Sequence, residues 1–148
     1  MDINKLSSQI IGAAIEVHKF LGPGLLESTY EECLCCELKL QGINFKRQEP
    51  LCVKYKGIEL DCSYRLDIVV ENLIIVELKS VIEIEPIHKA QLLTYLKLAG
   101  LQLGLLLNFN VSLMREGIVR VVNKLPEIKV EKSDIGCFPA SQRKATKK

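Results

Sequence analysis

Apolar residues recur at helical spacing through the first part of the chain. They fall every third or fourth position between Ile3 and Leu21, which predicts a helix over that range. Gly22-Pro23-Gly24 should end it, since proline disfavours helical geometry in the residue before it. A second helix is predicted from near Leu25 or Leu26 to about Gln41, followed by a glycine suited to a helix C-terminus.

Strand-like stretches then replace the helical period. Phe45 to Tyr55 predicts a first strand, Lys56-Gly57 a turn, and a second strand should end at Val70. Pro50 has no amide hydrogen to give to a sheet ladder. The first strand is therefore expected to lie at a sheet edge or to be broken at Pro50.

The stretch from Tyr64 to Lys79 is typical of a β-hairpin. Two apolar, β-branched runs flank a short polar break at Glu71-Asn72. The run from Leu73 to Val76 shows no polar alternation, so we expect that strand to be covered on both faces.

Two registers of this hairpin are compatible with the sequence. A two-residue loop at Glu71-Asn72 would pair Asp67 with Val76 and turn Glu77 away, whereas a three-residue connection or a bulge pairs Asp67 with Glu77. We predict the second register, because it gathers both carboxylates and the ammonium of Lys79, two residues after Glu77, at one point. Such a group is a candidate metal site with a cationic neighbour.

A third helix is predicted from Pro86 to Ala99, with Gly100 ending it. Three polar residues share one of its faces: His88, Gln91 and Tyr95. That face could be only the solvated side of the helix, or it could line the site that Lys79 reaches, and spacing alone does not decide between the two.

The remaining chain predicts two further strands and a tail. Leu103 to Phe109 is almost wholly apolar, as in a strand buried on both faces, and Gly117 to Val122 predicts a last extended segment. Beyond Asn123 the composition becomes polar and partly basic. We therefore predict a domain over residues 1–123 and a C-terminal tail over residues 124–148.

Composition limits the classes of protein to consider. A chain of 148 residues with 48% hydrophobic residues fits one domain with a sizeable core. No apolar run has the length of a membrane span, and the N-terminus lacks the pattern of a signal peptide, so we expect a cytoplasmic protein without membrane partners. A net charge of +2 provides no global field for polyanions, so nucleic-acid binding would need a local patch.

The six cysteines do not indicate a metal site. Three of them, Cys33, Cys35 and Cys36, fall within one predicted helix, where adjacent positions point apart. Reduced, packed thiols are the expected state in a cytosolic protein.

Glu27 has two explanations at this stage. It lies in the first turn of the second helix, where a carboxylate interacts favourably with the helix dipole. It could also deliver a third carboxylate to the hairpin site, with Gly24 allowing the backbone to come close.

The order of these motifs resembles the PD-(D/E)XK nuclease superfamily. Glu77-Leu78-Lys79 matches the Glu-x-Lys motif, and Asp67 matches its aspartate without the preceding proline. The chain is most similar to the small bacterial and archaeal group called GxxExxY proteins, whose name is matched by Gly24-Leu-Leu-Glu27-Ser-Thr-Tyr30. Gln91 and Tyr95 match the Gln-x-x-x-Tyr pattern of RecB-like exonucleases. The resemblance covers roughly residues 4 to 122.

The resemblance implies an α/β, restriction-endonuclease-like core with a central mixed sheet of four to five strands flanked by helices, in the order αβββαβ. It also implies hydrolysis of phosphodiester bonds in nucleic acid, with DNA favoured. Asp67 and Glu77 would hold Mg²⁺ or Mn²⁺, with Glu27 and the backbone carbonyl of Leu78 as further ligands.

In such a site Lys79 would stabilise phosphoryl oxygens or position the attacking water, and Gln91 would orient that water or a phosphate. The possible accessory residues are His18, Tyr30, His88 and Tyr95. Each of the four could instead be structural, the histidines by closing a hydrogen bond and the tyrosines by packing.

Two alternatives to catalysis stay open. The chain could be a nuclease-fold protein that binds nucleic acid or a protein partner without cutting it. It could also carry only a structural ion-pair cluster of Asp67, Glu77 and Lys79. Its small size leaves little room for a deep DNA groove, which a homodimer could supply.

Overall fold

The computed structural model describes residues 1–124, without the side chains of residues 61 and 62. The helices are α1 (Ile3–Leu21), α2 (Glu27–Leu40) and α3 (Pro86–Ala99). The strands are β1 (Phe45–Tyr55), β2 (Ile58–Val70), β3 (Ile74–Lys79), β4 (Leu103–Asn108) and β5 (Ile118–Val122), with a 3-10 turn at Met114–Gly117 before the last. The predicted tail, residues 124–148, lies outside the described residues except for Lys124.

The strands form one mixed sheet in the order β1-β2-β3-β4-β5. Only β3 and β4 pair in parallel, because α3 carries the chain from the end of one to the start of the other. The fold is therefore α/β with a restriction-endonuclease-like arrangement, as predicted. The placement of β1 at the sheet edge also agrees with the prediction from Pro50.

The sheet is covered on both faces. One core lies between the sheet and helices α1 and α2, and includes Ile74, Val76 and Leu78 of β3. A second, smaller core lies under α3 and includes Ile75 of β3. Residues 74–78 are all buried, so the prediction of a doubly covered strand is confirmed.

The hairpin between β2 and β3 has the predicted three-residue connection. Val70 pairs with Ile74 and Ile68 with Val76, and the amide of Leu73 donates to the carbonyl of Val70 at 2.9 Å. Glu71 and Asn72 both have left-handed backbone angles, φ 51° and 56°. This register brings Asp67 opposite Glu77.

The alternation of side chains between the two faces of the sheet is interrupted in β2 at Asp67. Leu66 belongs to the core under α3, whereas Ile68 belongs to the core under α1 and α2, although residues two apart in a regular strand face the same way. On β1, Gln48 has a left-handed φ of 47° at the same level. The irregularity lies where the site forms, and the sequence pattern did not predict it.

Element boundaries differ from the prediction in small ways. Helix α2 begins at Glu27 rather than at Leu25 or Leu26, and β4 ends at Asn108, one residue early. The 3-10 turn before β5 was not predicted. Within the described residues, no helix is both long enough and apolar enough to cross a membrane.

The cysteines are partly as expected. Cys33, Cys35 and Cys36 are free thiols, and burial raises the pKa of Cys35 to about 11. Cys52 is disulfide-bonded, so the prediction of reduced thiols throughout is wrong at that position.

Candidate metal and phosphate site

The candidate site lies where the ladder between β2 and β3 stops. Beyond the pair Ile68 and Val76, side chains take over from backbone carbonyls as acceptors. The Glu77 carboxylate accepts the amide hydrogen of Asp67 at 2.9 Å, and the Asp67 carboxylate accepts the amide hydrogen of Leu78 at 2.9 Å. These reciprocal bonds fix both carboxylates at one point.

Both carboxyl groups are costly to ionise. Burial, followed by the charge of Asp67, raises the pKa of Glu77 to about 8. Burial also raises the pKa of Asp67, and the hydrogen bond from Leu78 only partly opposes it. Glu77 is 7% exposed, so water does little to screen its charge, whereas Asp67 is half-buried. Two adjacent carboxylates, one of them buried, form an environment that a cation stabilises.

Lys79 lies close to Asp67 and Glu77. Its charge lowers the pKa of both Asp67 and Glu77. However, its ammonium forms no ion pair with any carboxylate whose side chain the structure describes. The predicted alternative of a structural ion-pair cluster therefore lacks its central contact.

Glu27 reaches the same region from α2. Its carboxylate accepts the amide hydrogen of Ser80 at 3.2 Å, one residue after Lys79. Its charge also contributes to raising the pKa of Asp67. Glu27 is therefore more than a helix-terminal charge, because it joins the start of α2 to the end of β3.

Glu31 is the residue that the sequence analysis missed. It lies one helical turn after Glu27, is 7% exposed, and raises the pKa of both Asp67 and Glu77. Its carboxylate binds Arg47 at 3.0 Å and accepts from the Gln48 amide at 3.0 Å. The signal was the spacing of four residues between Glu27 and Glu31, which places both on one helix face.

Some of these side chains line an open cleft of about 780 Å³, but Glu77 and Lys79 are not among its lining residues. We call it the acidic cleft, and its charged lining residues are Glu27, Glu31 and Asp67. Gly24 and Leu25 form one wall, and Ser80 and Asn110 form another.

His18 and Tyr30 form hydrogen bonds with backbone segments next to the cleft. The ring Nε2 of His18 is 2.9 Å from the carbonyl of Val111. The Tyr30 hydroxyl donates to the carbonyl of Gly22 and accepts from the amide of Leu25 at 3.1 Å, while its ring stacks on Phe109. Both residues are buried. Tyr30 holds the loop after α1 in place, and His18 joins α1 to the segment before β5.

The three polar residues of α3 have separate surroundings. His88 accepts the amide hydrogen of Glu85 at 2.9 Å and so caps its own helix. The pKa of Tyr95 is raised by burial and by the Glu77 charge, which places this tyrosine beside the site. Gln91 is exposed, one turn before Tyr95, and makes no hydrogen bond with any residue of the described range.

The donor set fits a hard divalent cation with few protein ligands. Asp67 and Glu77 each use one oxygen for a backbone amide, which leaves Oδ1 and Oε1 without a hydrogen bond from the described residues. Among residues 1–60 and 63–124, the structure does not gather three or more His, Cys, Asp or Glu side chains into a metal-binding group. Magnesium and manganese tolerate such a site, since they retain water ligands.

A family model described as the PD-(D/E)XK nuclease superfamily matches residues 4–121. The chain therefore belongs to the PD-(D/E)XK nuclease superfamily. No curated protein and no solved structure matches it significantly. The narrower resemblance to GxxExxY proteins stays a prediction.

Proposed function

We propose that this protein is a divalent-metal-dependent nuclease that hydrolyses phosphodiester bonds of nucleic acid, with DNA as the favoured substrate. The observation that carries the proposal is the convergence of Asp67 and Glu77 through reciprocal backbone hydrogen bonds, with an ammonium beside them that has no ion-pair partner in the described chain. Family membership supports the reaction class, since superfamily members are generally nucleases.

Each of these residues has its own role in the proposed reaction. Asp67 and Glu77 present oxygen ligands for Mg²⁺ or Mn²⁺, and Glu27 adds a carboxylate from α2. Lys79 carries the positive charge that a phosphoryl oxygen needs as negative charge grows in the transition state. From α3, Tyr95 lies beside Glu77, and Gln91, one turn earlier, would orient the substrate or water.

A bound divalent ion would stabilise charge on the phosphate and favour ionisation of a water nucleophile. Burial, followed by the charges of neighbouring carboxylates, raises the pKa of both carboxyl groups, and such an ion would offset these effects. Glu31 adds negative potential without being tied to the same backbone amides.

A second candidate function is binding of nucleic acid or a protein partner without cleavage. It is favoured by the finding that no three-residue metal-binding group forms within the described part of the chain. Dimerisation, which would enlarge the binding surface, belongs to the same proposal.

The experiment is cleavage of end-labelled single- and double-stranded DNA and RNA with Mg²⁺, Mn²⁺ or EDTA. We compare wild type with Asp67→Asn and Lys79→Ala. The controls are Glu16→Gln and Lys97→Ala, which change equivalent charges at helical positions outside the acidic cleft.

We expect metal-dependent cleavage by wild type and by both controls, and a loss of at least about 100-fold in each site variant. Absence of cleavage with every substrate and metal, or equal activity in Asp67→Asn, would refute catalysis at this site. Salt-sensitive binding without cleavage would favour the second candidate.

A further inference from the structure

A second depression lies beside the acidic cleft. It has a volume of about 550 Å³ and is formed by the end of α1, the loop after it and the segment before β5. We call it the α1 pocket. Its lining residues are Ile15, His18, Lys19, Gly22, Pro23, Ser112, Leu113, Met114 and Arg115. The volume is in the range of pockets that hold a small organic group.

The charge of the α1 pocket is opposite to that of the cleft. Lys19 and Arg115 are its charged lining residues, and both are exposed. Neither forms an ion pair with a side chain that the structure describes. The rest of the lining is mainly apolar, so the pocket suits a ligand that has a flat apolar part and an anionic part.

The α1 pocket and the acidic cleft share two walls. Gly22 and Pro23 line the pocket while Gly24 lines the cleft, and Ser112 lines the pocket while Asn110 lines the cleft. Residues two apart have Cα atoms at most about 7.6 Å apart, which is comparable with one nucleotide step. A nucleic-acid strand lying in the cleft would therefore enter the pocket with its next unit.

The backbone between the two depressions leaves open space at two glycines. A Cβ placed on Gly22 or Gly24 would meet nothing within 4 Å. Both glycines have left-handed backbone angles, which residues with a side chain rarely adopt.

The walls are held in place by buried contacts. The ring of His18 is hydrogen-bonded to the carbonyl of Val111, which joins α1 to the segment before β5. Tyr30 binds the backbone on both sides of Pro23, at Gly22 and Leu25. The pocket is therefore formed before any ligand arrives, which reduces the entropy cost of binding.

From these observations we infer that the α1 pocket binds an unpaired nucleotide next to the scissile phosphate, with the base against the apolar lining and a phosphate between Lys19 and Arg115. The inference rests on the proposed function and narrows its substrate to nucleic acid with a single-stranded segment at the cleavage point. In a duplex the base is stacked and paired and cannot enter a side pocket without being flipped out.

The first test is binding without catalysis. Fluorescence anisotropy in EDTA compares a single-stranded oligonucleotide with the duplex of the same length, as DNA and as RNA, using wild type and Lys19→Ala/Arg115→Ala. Lys5→Ala is the matched control, because Lys5 is an exposed lysine of α1 about 21 Å from Lys19 along the helix.

We expect wild type and the control to bind the single strand at least about fivefold more tightly than the duplex. The double variant should bind the single strand about tenfold more weakly, and the slope of its salt dependence should fall by about 0.7, for the one phosphate that is no longer neutralised. Equal binding of both forms, or an unchanged salt dependence in the double variant, would overturn the inference.

The second test needs no variant. Single abasic positions are moved along a single-stranded substrate, and cleavage with Mn²⁺ is mapped for each. We expect cleavage to fall at least about tenfold when the missing base is adjacent to the cleaved bond, and little when it lies elsewhere. Cleavage that does not depend on the position of the abasic site, or that is equally efficient on duplex and single-stranded substrates, would overturn the inference and leave the nuclease proposal intact. Strand binding that depends on Lys19 and Arg115 without cleavage would support the pocket and refute the nuclease.

Discussion

The hydrogen bonds of Asp67 and Glu77 explain how two acidic groups are tolerated at the edge of a core. Each carboxylate takes the place of a backbone carbonyl in the ladder and accepts an amide hydrogen from the opposite strand. The bonds recover part of the cost of burial, and the raised pKa of each group shows that the recovery is incomplete.

Glu77→Gln should therefore make the protein more stable at alkaline pH. The pKa of Glu77 rises from its ordinary value of 4.5 to about 8 on folding, so the folded state holds the proton more tightly. This contribution is complete below about pH 4.5 and is lost as pH rises to about 8. We expect the variant to gain several kcal/mol in unfolding free energy at pH 8 and little at pH 4.5.

Urea unfolding across this pH range checks the prediction, with Glu16→Gln as the control outside the cleft. A wild-type stability that increases between pH 5 and pH 8 more steeply than that of the variant would contradict it.

Glu31→Gln should weaken metal binding by about tenfold, because the negative potential of Glu31 acts on both Asp67 and Glu77. The control is Glu32→Gln, which changes the adjacent residue. Glu32 also pairs with Arg47, at 3.2 Å, but its side chain is 73% exposed. Calorimetric titration with Mn²⁺ measures both. Equal affinities in the two variants would show that Glu31 acts only through Arg47.

The regular elements could be predicted from the sequence because their patterns reflect the two faces that each must present. Helix α1 has the predicted bounds, and β1 and α3 also agree with their patterns. The hairpin register followed from a chemical argument about where two carboxylates can be placed, and it is confirmed.

Other features depend on contacts that no local pattern encodes. The alternation of side chains along β2 is interrupted at Asp67 because Leu66 and Ile68 pack against different helices. Gln48 adopts a left-handed conformation while its amide binds Glu31 across the cleft. His88 was a candidate site residue, yet its ring accepts a hydrogen bond that caps its own helix, which sequence spacing alone did not distinguish.

The segment before β5 is packed closely against β4, so a glycine is required there. A Cβ on Gly117 would lie 2.0 Å from the carbonyl oxygen of Asn108, whose side chain in turn binds both backbone groups of Val81. We expect Gly117→Ala to lower the unfolding free energy by about 3 kcal/mol. Gly12→Ala should instead raise it by about 0.5–1 kcal/mol, because Gly12 is exposed within α1 with open space around it.

Chemical denaturation of both variants measures the difference between these two glycines. A neutral Gly117→Ala would mean that the 3-10 turn shifts away from β4 without cost.

For the molecule as a whole, metal binding and folding should be linked, since the carboxylates repel one another only when they are held together. At a Mn²⁺ concentration 100 times its dissociation constant, we expect about 2.7 kcal/mol of added stability. The gain should increase with pH towards about 8, as Glu77 loses its proton. Differential scanning calorimetry with and without chelator measures it, and an equal gain in Asp67→Asn would contradict binding at this site.

The connection of Glu71, Asn72 and Leu73 has a consequence for how this protein can change over evolution. Deleting one residue there while a three-residue connection is kept would shift the pairing of the strands by one position, which would separate Asp67 from Glu77 while every candidate site residue remained in the sequence. A two-residue connection between Val70 and Ile74 would instead keep the two carboxylates opposite each other. A relative that has all the motif residues but the shifted pairing is expected to be inactive.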